Sequence, residues 1–405
     1  MGLIHSRMSR LAAAAIVVIT FAPGVAAQDL RAAVEAAWQR QPLAQAREAR
    51  ADEFAARQAA AAAFLPGPPV LGIEHETDRA SRNEGQRKFI GEIAVPLWLP
   101  GQQERAQAVV GADRAAYDAG FTLARLALAG EVRDAYWQAR AAETDASLAR
   151  SALEGLAALE ADVARRVKAG ELARVDGNRA GAEAQFQRIA LAEALARSLR
   201  AAGTFRALTG FAQPPANHEP RPAIARPGPD THPGMAAARQ NAEAARARLR
   251  QVSGDTRDAP ELGLGASQSR LDGSRPWEQT LQVRLRIPLG NEHRNRPRIS
   301  AANADLIEAQ AGQGRLAARI QAEMVSAERE LETALAALPL AESRAALARD
   351  TQTLIARGFA AGEFDLPTRL RAEREFAEAE QGHARARIEA GRANSRLKHA
   401  YGLMP

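Results

Sequence analysis

The sequence predicts a mainly α-helical protein with a small β part, built from one strand-and-helix unit used twice. Three observations carry this. Pro288 lies 192 residues after Pro96, and the same offset joins Glu131 to Glu323, Ala169-Gly170-Glu171 to Ala361-Gly362-Glu363, and Gly210 to Gly402. One spacing held across four landmarks marks a tandem duplication. Each copy contains a long run with apolar residues at helical spacing. Each also contains two short stretches that read as strands around a polar loop.

The order of elements follows from local signals. Arg7 and Arg10, the apolar Leu11–Phe21 and the small residues Val25-Ala26-Ala27 have the layout of a cleaved secretory signal over 1–27. Without a cysteine after that point, no N-terminal lipid anchor forms. The first repeat is expected over 28–210. It opens with helices over 29–40 and from Pro42 to Phe64, ended by Leu65-Pro-Gly-Pro-Pro69. Strands follow at 70–78 and 87–97. A helix over about 102–165 carries the stripe Leu148, Ala152, Leu156, Leu159, Val163. At 1.5 Å per residue it would reach roughly 95 Å. Gly170 caps it, and a return helix covers 174–208. A proline-rich connector spans 211–232.

The second repeat, 233–405, retraces the plan. A helix ends near Val252, and strands cover 261–269 and 280–289. The long helix covers 298–357, with Pro339 expected to kink it and leave the Leu335 carbonyl without a helical donor. Gly362 makes the turn, and 366–400 returns.

Composition removes several function classes. Alanine dominates the apolar residues and aromatics are only 4%, which suits close-packed helices. The formal charge of +6 over 405 residues, with no basic run interleaved with aromatics, argues against nucleic acid. The absence of cysteine excludes disulfides, thiolate metal sites and cysteine nucleophiles. Glu74-His75-Glu76 invites a metal reading, but on a strand His75 faces away from both glutamates. No zinc spacing, phosphate loop or nucleophile elbow is present, so neither a cofactor nor an enzymatic activity is expected.

The strand 280–289 alternates cleanly. Leu281, Val283, Leu285, Ile287 and Leu289 share one face, and Gln282, Arg284 and Arg286 the other. A soluble sheet with one buried face would read the same way. A secretory signal and four such strands, with no other apolar mass to cover, favour a membrane barrel with a wet lumen. Four strands cannot close a barrel, so several copies would share one.

Signal, duplicated hairpin and long helix, Gly turns, and the strand ends Val95-Pro-Leu97 and Ile287-Pro-Leu289 together resemble the TolC-like outer-membrane efflux protein family. The run Val95-Pro-Leu-Trp-Leu-Pro-Gly-Gln102 is similar to members serving heavy-metal pumps of the resistance–nodulation–division type. The resemblance implies a homotrimer with a twelve-stranded β-barrel in outer-membrane lipid. An α-helical barrel would continue across the periplasm to an adaptor and an inner-membrane pump. In that setting Glu74, Glu76, Arg284 and Arg286 are expected as lumen charges. Pro96, Pro100, Gly101, Pro288 and Gly290 would form the corners between barrel and tunnel. The periplasmic tip and adaptor-docking surface would comprise Gly170, Glu171, Leu172, Asp176, Phe359, Gly362, Glu363, Phe364, Asp365 and Leu366, with Leu172, Phe364 and Leu366 exposed. Phe359 stands where relatives carry a gate tyrosine. Thr368 and Arg371 stand where they carry an aspartate ring, so no acidic ring carries over. The run Asn291-Glu-His-Arg-Asn-Arg-Pro297 also departs from the family pattern. A periplasmic adaptor or coiled-coil structural protein, or a duct for drugs, remains the alternative.

Overall fold

The computed structural model describes residues 29–216, 219–222 and 225–405; the expected signal segment lies outside them. Eight helices and four strands are present among the described residues. Helices α1 (Leu30–Trp38), α2 (Pro42–Gln45) and α3 (Arg47–Ala62) lead into strands β1 (Val70–Thr77) and β2 (Arg87–Pro96). Then come α4 (Gln102–Ala169), α5 (Arg174–Thr209), a 3-10 turn at Pro229–Thr231 and α6 (Pro233–Gly254). Strands β3 (Glu261–Arg270) and β4 (Glu278–Arg286) precede α7 (Glu292–Ala361) and α8 (Leu366–Ala400). At 68 and 70 residues, α4 and α7 are rods of about 100 Å.

Several boundaries differ from expectation for identifiable reasons. The helix expected from Pro42 to Phe64 is broken at Ala46 and ends at Ala62. The last expected strand shifts by two or three residues, to Glu278–Arg286, so Ile287-Pro288-Leu289 lies outside the sheet. Its partner β3 begins at Glu261, opposite Arg286, and the preceding Pro260 has no N–H to continue the ladder. The second long helix starts at Glu292 rather than 298, because the Asn291 side chain accepts the His293 N–H at 2.9 Å and caps it. Pro339 does not end that helix; it removes one donor inside a continuous rod.

The four strands form one antiparallel sheet in the order β1-β2-β3-β4, so β2 and β3 join the two halves. The helices keep the same sideways order. Through contacts with one another they run α3-α4-α6-α7 beside the sheet and α5-α4-α8-α7 beyond the middle. One edge of the chain is therefore β1, α3 and α5. The other is β4 and the unbroken α7.

Three apolar clusters hold the helices. At the waist, α1 packs Leu30, Val34 and Trp38 onto Val132, Tyr136 and Phe205 of α4 and α5. Across the layer, Ile320, Met324 and Leu331 of α7 meet Leu397 and Tyr401. Near the two Gly turns, Leu156, Leu159 and Val163 meet Phe359, Leu366 and Leu370.

Candidate channel surfaces

The sheet sorts its side chains by register. Partnered residues share a face, so one face carries Glu74 and Glu76 of β1, Lys88 and Glu92 of β2, Glu261 of β3, and Glu278, Arg284 and Arg286 of β4. The four charges expected together are thus on one face. The sequence reading missed Lys88, Glu92 and Glu261, which pair with three of them. Arg284 bonds Glu92 at 2.7 Å, Arg286 bonds Glu261 at 3.2 Å, and Lys88 lies 3.8 Å from Glu76. Gly263 makes the first pair possible, since a Cβ there would collide with the Glu92 carboxylate. Ile90 and Val70 are the large apolar exceptions on this face.

The opposite face holds Leu71, Ile73, Phe89, Ile93, Leu264, Leu281, Val283 and Leu285, all exposed. Ile73 is 81% and Leu281 87% exposed. No helix packs across either face by more than a marginal contact among the described residues. His75 lies on this apolar face, stacked on Phe89 at 4.2 Å, and no cluster of three potential metal ligands occurs among the described residues.

The corners between sheet and helices are built differently in the two halves. Pro96 closes β2, and the Leu97 N–H still reaches the Pro260 carbonyl at 2.7 Å. Gly101, with φ of 70°, makes the bend after Pro100 into α4. Arg105 then ties the two halves together: it donates to Asp255 of the second half at 2.6 Å and to the Pro100 carbonyl of its own. After Pro288, Gly290 lies against the Thr256 carbonyl, to which Asn295 donates at 2.5 Å.

At the far end the two Gly turns share one motif. The N–H of Glu171 binds the Arg166 carbonyl at 2.9 Å, and that of Glu363 binds the Gly358 carbonyl at 2.8 Å. Gly170 and Gly362 have φ of 82° and 80°, the left-handed cap such turns require. Between them opens a cleft of about 510 Å³ lined by Glu171, Leu172, Asp176, Phe359, Gly362, Phe364, Asp365 and Leu366. Gly170 and Glu363 flank it. Arg166 and Arg179, which the sequence reading missed, also line it. The Arg166 guanidinium sits 5.1 Å over the Phe359 ring and donates to the Phe359 carbonyl. Arg179 lies 3.8 Å from Asp176. Asp365 caps α8 by accepting the Thr368 N–H, and the Thr368 side chain first and this bond second hold its carboxyl below the usual range.

The three apolar tip residues do not share one exposed surface. Leu366 is only 2% exposed and Leu172 packs onto the same cluster, so both support the turn from inside. Phe364 alone remains open, at 45%, with its ring against Gly358.

The waist contains a network that the sequence did not disclose. Glu219, in the proline-rich connector, accepts from Nε and Nη2 of Arg133 at 3.0 and 2.8 Å and from the Ser395 hydroxyl at 2.6 Å. Lys398 lies 3.5 Å away. Burial pushes the Glu219 carboxyl up, but Arg133, Ser395 and Lys398 outweigh it and hold it below its ordinary value.

No protein-family model matches the sequence, and no curated protein matches it. Solved structures do match in fold. A membrane protein from Pseudomonas aeruginosa aligns with a TM-score of 0.73 at 21% identity, over 92% of this chain and 90% of that one. The outer membrane protein VceC from Vibrio cholerae gives 0.71 at 18%, over 92% and 96%. The CmeC outer membrane channel of Campylobacter jejuni gives 0.74 at 12%, over 92% and 85%. The chain has the fold of these membrane proteins, a long helical body with a small antiparallel sheet.

Proposed function

We propose that the chain is one protomer of a passive exit duct in the outer membrane. It would receive substrate from an inner-membrane pump through a periplasmic adaptor. The observation that carries this is the inverted polarity of the sheet. Its apolar face is bare, its charged face is opposite, and both edges, β1 and β4, are open. An apolar face that no helix covers belongs in lipid, where open sheet edges are not tolerated, so copies must close the sheet. Three copies give the twelve strands that the family resemblance implies.

The helical edges support the same assembly. On α5, Phe186, Ile189 and Leu199 are exposed; on α7, Leu340, Leu347 and Leu354 recur every seven residues and are exposed too. A seven-residue apolar repeat is a helix-packing seam. Joining α5 of one copy to α7 of the next is a head-to-tail contact, which closes into a ring. The charged face, with Glu74, Glu76, Arg284 and Arg286, then lines the pore. The tip, with Phe364 and the cleft at Asp176 and Phe359, meets the adaptor.

The duct performs no chemistry; selection and energy belong to the pump. Heavy-metal cations are the proposed cargo, on the similarity of Val95–Gln102 to ducts of metal pumps of the resistance–nodulation–division type. The absence of native cysteine makes a direct test clean. Ile189→Cys with Leu347→Cys, treated with a short bismaleimide in membranes, should give a ladder ending at a trimer. A soluble periplasmic monomer with no ladder would replace the duct with the adaptor reading. Deletion should sensitise cells to divalent metals; sensitivity to drugs alone would discard the metal cargo and keep the duct.

A further inference from the structure

The apolar face of the sheet carries charge at one level only. Its register-matched residues from Leu71 to Leu285 include no carboxylate; Glu74, Glu76, Glu92, Glu261 and Glu278 all fall on the other face. The only arginines on it are Arg87 and Arg270, and they are direct cross-strand partners at the hairpin end of β2 and β3. Like charges placed directly opposite destabilise a sheet unless something anionic lies between them. Neither guanidinium has a carboxylate within ion-pair distance among the described residues. Of the loop acids, Asp78 accepts the Gly85 N–H, Asp272 accepts the Ser274 and Arg275 N–H groups, and Glu84 forms no ion pair with either guanidinium.

Aromatic rings surround this pair. Arg270 lies 5.1 Å over the Trp277 ring and uses Nε on the Gly85 carbonyl, which leaves its two terminal nitrogens for a ligand. Phe89, two residues from Arg87, sits 6.1 Å from Trp277 and stacks on His75. Below them the face is continuous Leu, Ile and Val. Rings at the rim of an apolar band mark the level of lipid headgroups.

We propose that Arg87 and Arg270 form a clamp for the phosphate of an outer-leaflet lipid, a phosphorylated glycolipid, with Phe89 and Trp277 seating its acyl base. This rests on the duct reading, which puts the hairpin ends at the outer leaflet. A phosphate oxygen can accept from both guanidiniums at once and cancels the repulsion between them.

The test uses the full-length protein purified in detergent from membranes, with retained lipid read by native mass spectrometry. Probes are bis-phosphorylated lipid A, its dephosphorylated form, and inorganic phosphate as competitor. Wild type should retain the phosphorylated lipid, and R87Q/R270Q should retain about tenfold less. Dephosphorylated lipid A should be held no better than by the variant, and millimolar phosphate should not displace the lipid. Equal retention by wild type and variant, equal retention of both lipids, or displacement by free phosphate would overturn the clamp. Assembly separates this failure from failure of the duct. A membrane-inserted trimer without lipid discrimination loses the clamp alone, and a soluble monomer loses both. E278Q, a change on the opposite face near the same height, should leave retention unchanged; a rise there would reduce the effect to overall charge and overturn the clamp.

Discussion

At the waist, Val132, Tyr136 and Phe205 are sealed among α1, α4 and α5, and a charged network is buried around Glu219. In the sheet the arrangement is reversed: Ile73, Leu281 and Val283 face outward and the ion pairs lie on the other side. Both regions sort apolar from polar residues by face, at helical spacing in the one and by strict alternation in the other. The difference lies in what covers the apolar side, which is protein at the waist and nothing from this chain at the sheet. A single protomer is thus finished at its middle and unfinished at its end.

Four experiments would break or sharpen that contrast. Arg133→Met should cost the most, about 3–5 kcal/mol, because it leaves Glu219 buried without its main partner. Denaturant unfolding measures it, and a loss under about 1 kcal/mol would show the network to be dispensable. Val283→Arg should then cost about 2–4 kcal/mol of membrane insertion, whereas Gln282→Arg, one residue along on the charged face, should insert normally. Equal insertion of the two variants would erase the distinction between the faces. Gly362→Ala should destabilise the tip by about 1–2 kcal/mol through its left-handed backbone, although space for the methyl is open. Gly155→Ala, in the middle of α4 with equally open space, should instead stabilise by about 0.5–1 kcal/mol.

The smallest effect is acid sensitivity at the waist. Burial pushes His232 and His399 below their ordinary value of 6.5. Both are therefore favoured neutral in the fold, and their contribution is complete above that value and is lost as pH falls through it toward their folded values. Protonation would also cost His232 the acceptor that caps α6 through the Gly234 N–H at 3.0 Å. Glu323 and Asp134 favour the protonated histidines, while Arg133 opposes protonation of His399. Melting temperature should fall between pH 7.5 and 5.5, and His232→Asn should flatten part of that slope; an unchanged slope would remove His232 from it.

What the sequence revealed was whatever is local or repeated. The Gly170 and Gly362 turns follow from glycine at a fixed offset, and the two faces of β4 from strict alternation. The faces of β2 were harder to read, because Ile90 and Gly91 break the alternation that Glu92 belongs to. Leu172 and Leu366 looked exposed beside glycine, yet they fold under the turns onto Val163 and Leu370, a contact between copies of the repeat that no local pattern carries. The Glu219 network joins three segments far apart in the chain through a proline-rich connector that looked featureless.

One edge of the protomer is split between α3 and α5, whereas the other is the single rod α7. That rod lacks an internal hydrogen bond at Pro297, near its start, and another at Pro339, 22 residues before its end at Ala361. This lower arm is about 33 Å long, so a swing of about 10° at the proline would carry the Gly362 turn sideways by about 6 Å. The lever belongs to one edge only. Motion at the tip would therefore be led by the α7 side of each protomer and followed by the α5 side of its neighbour.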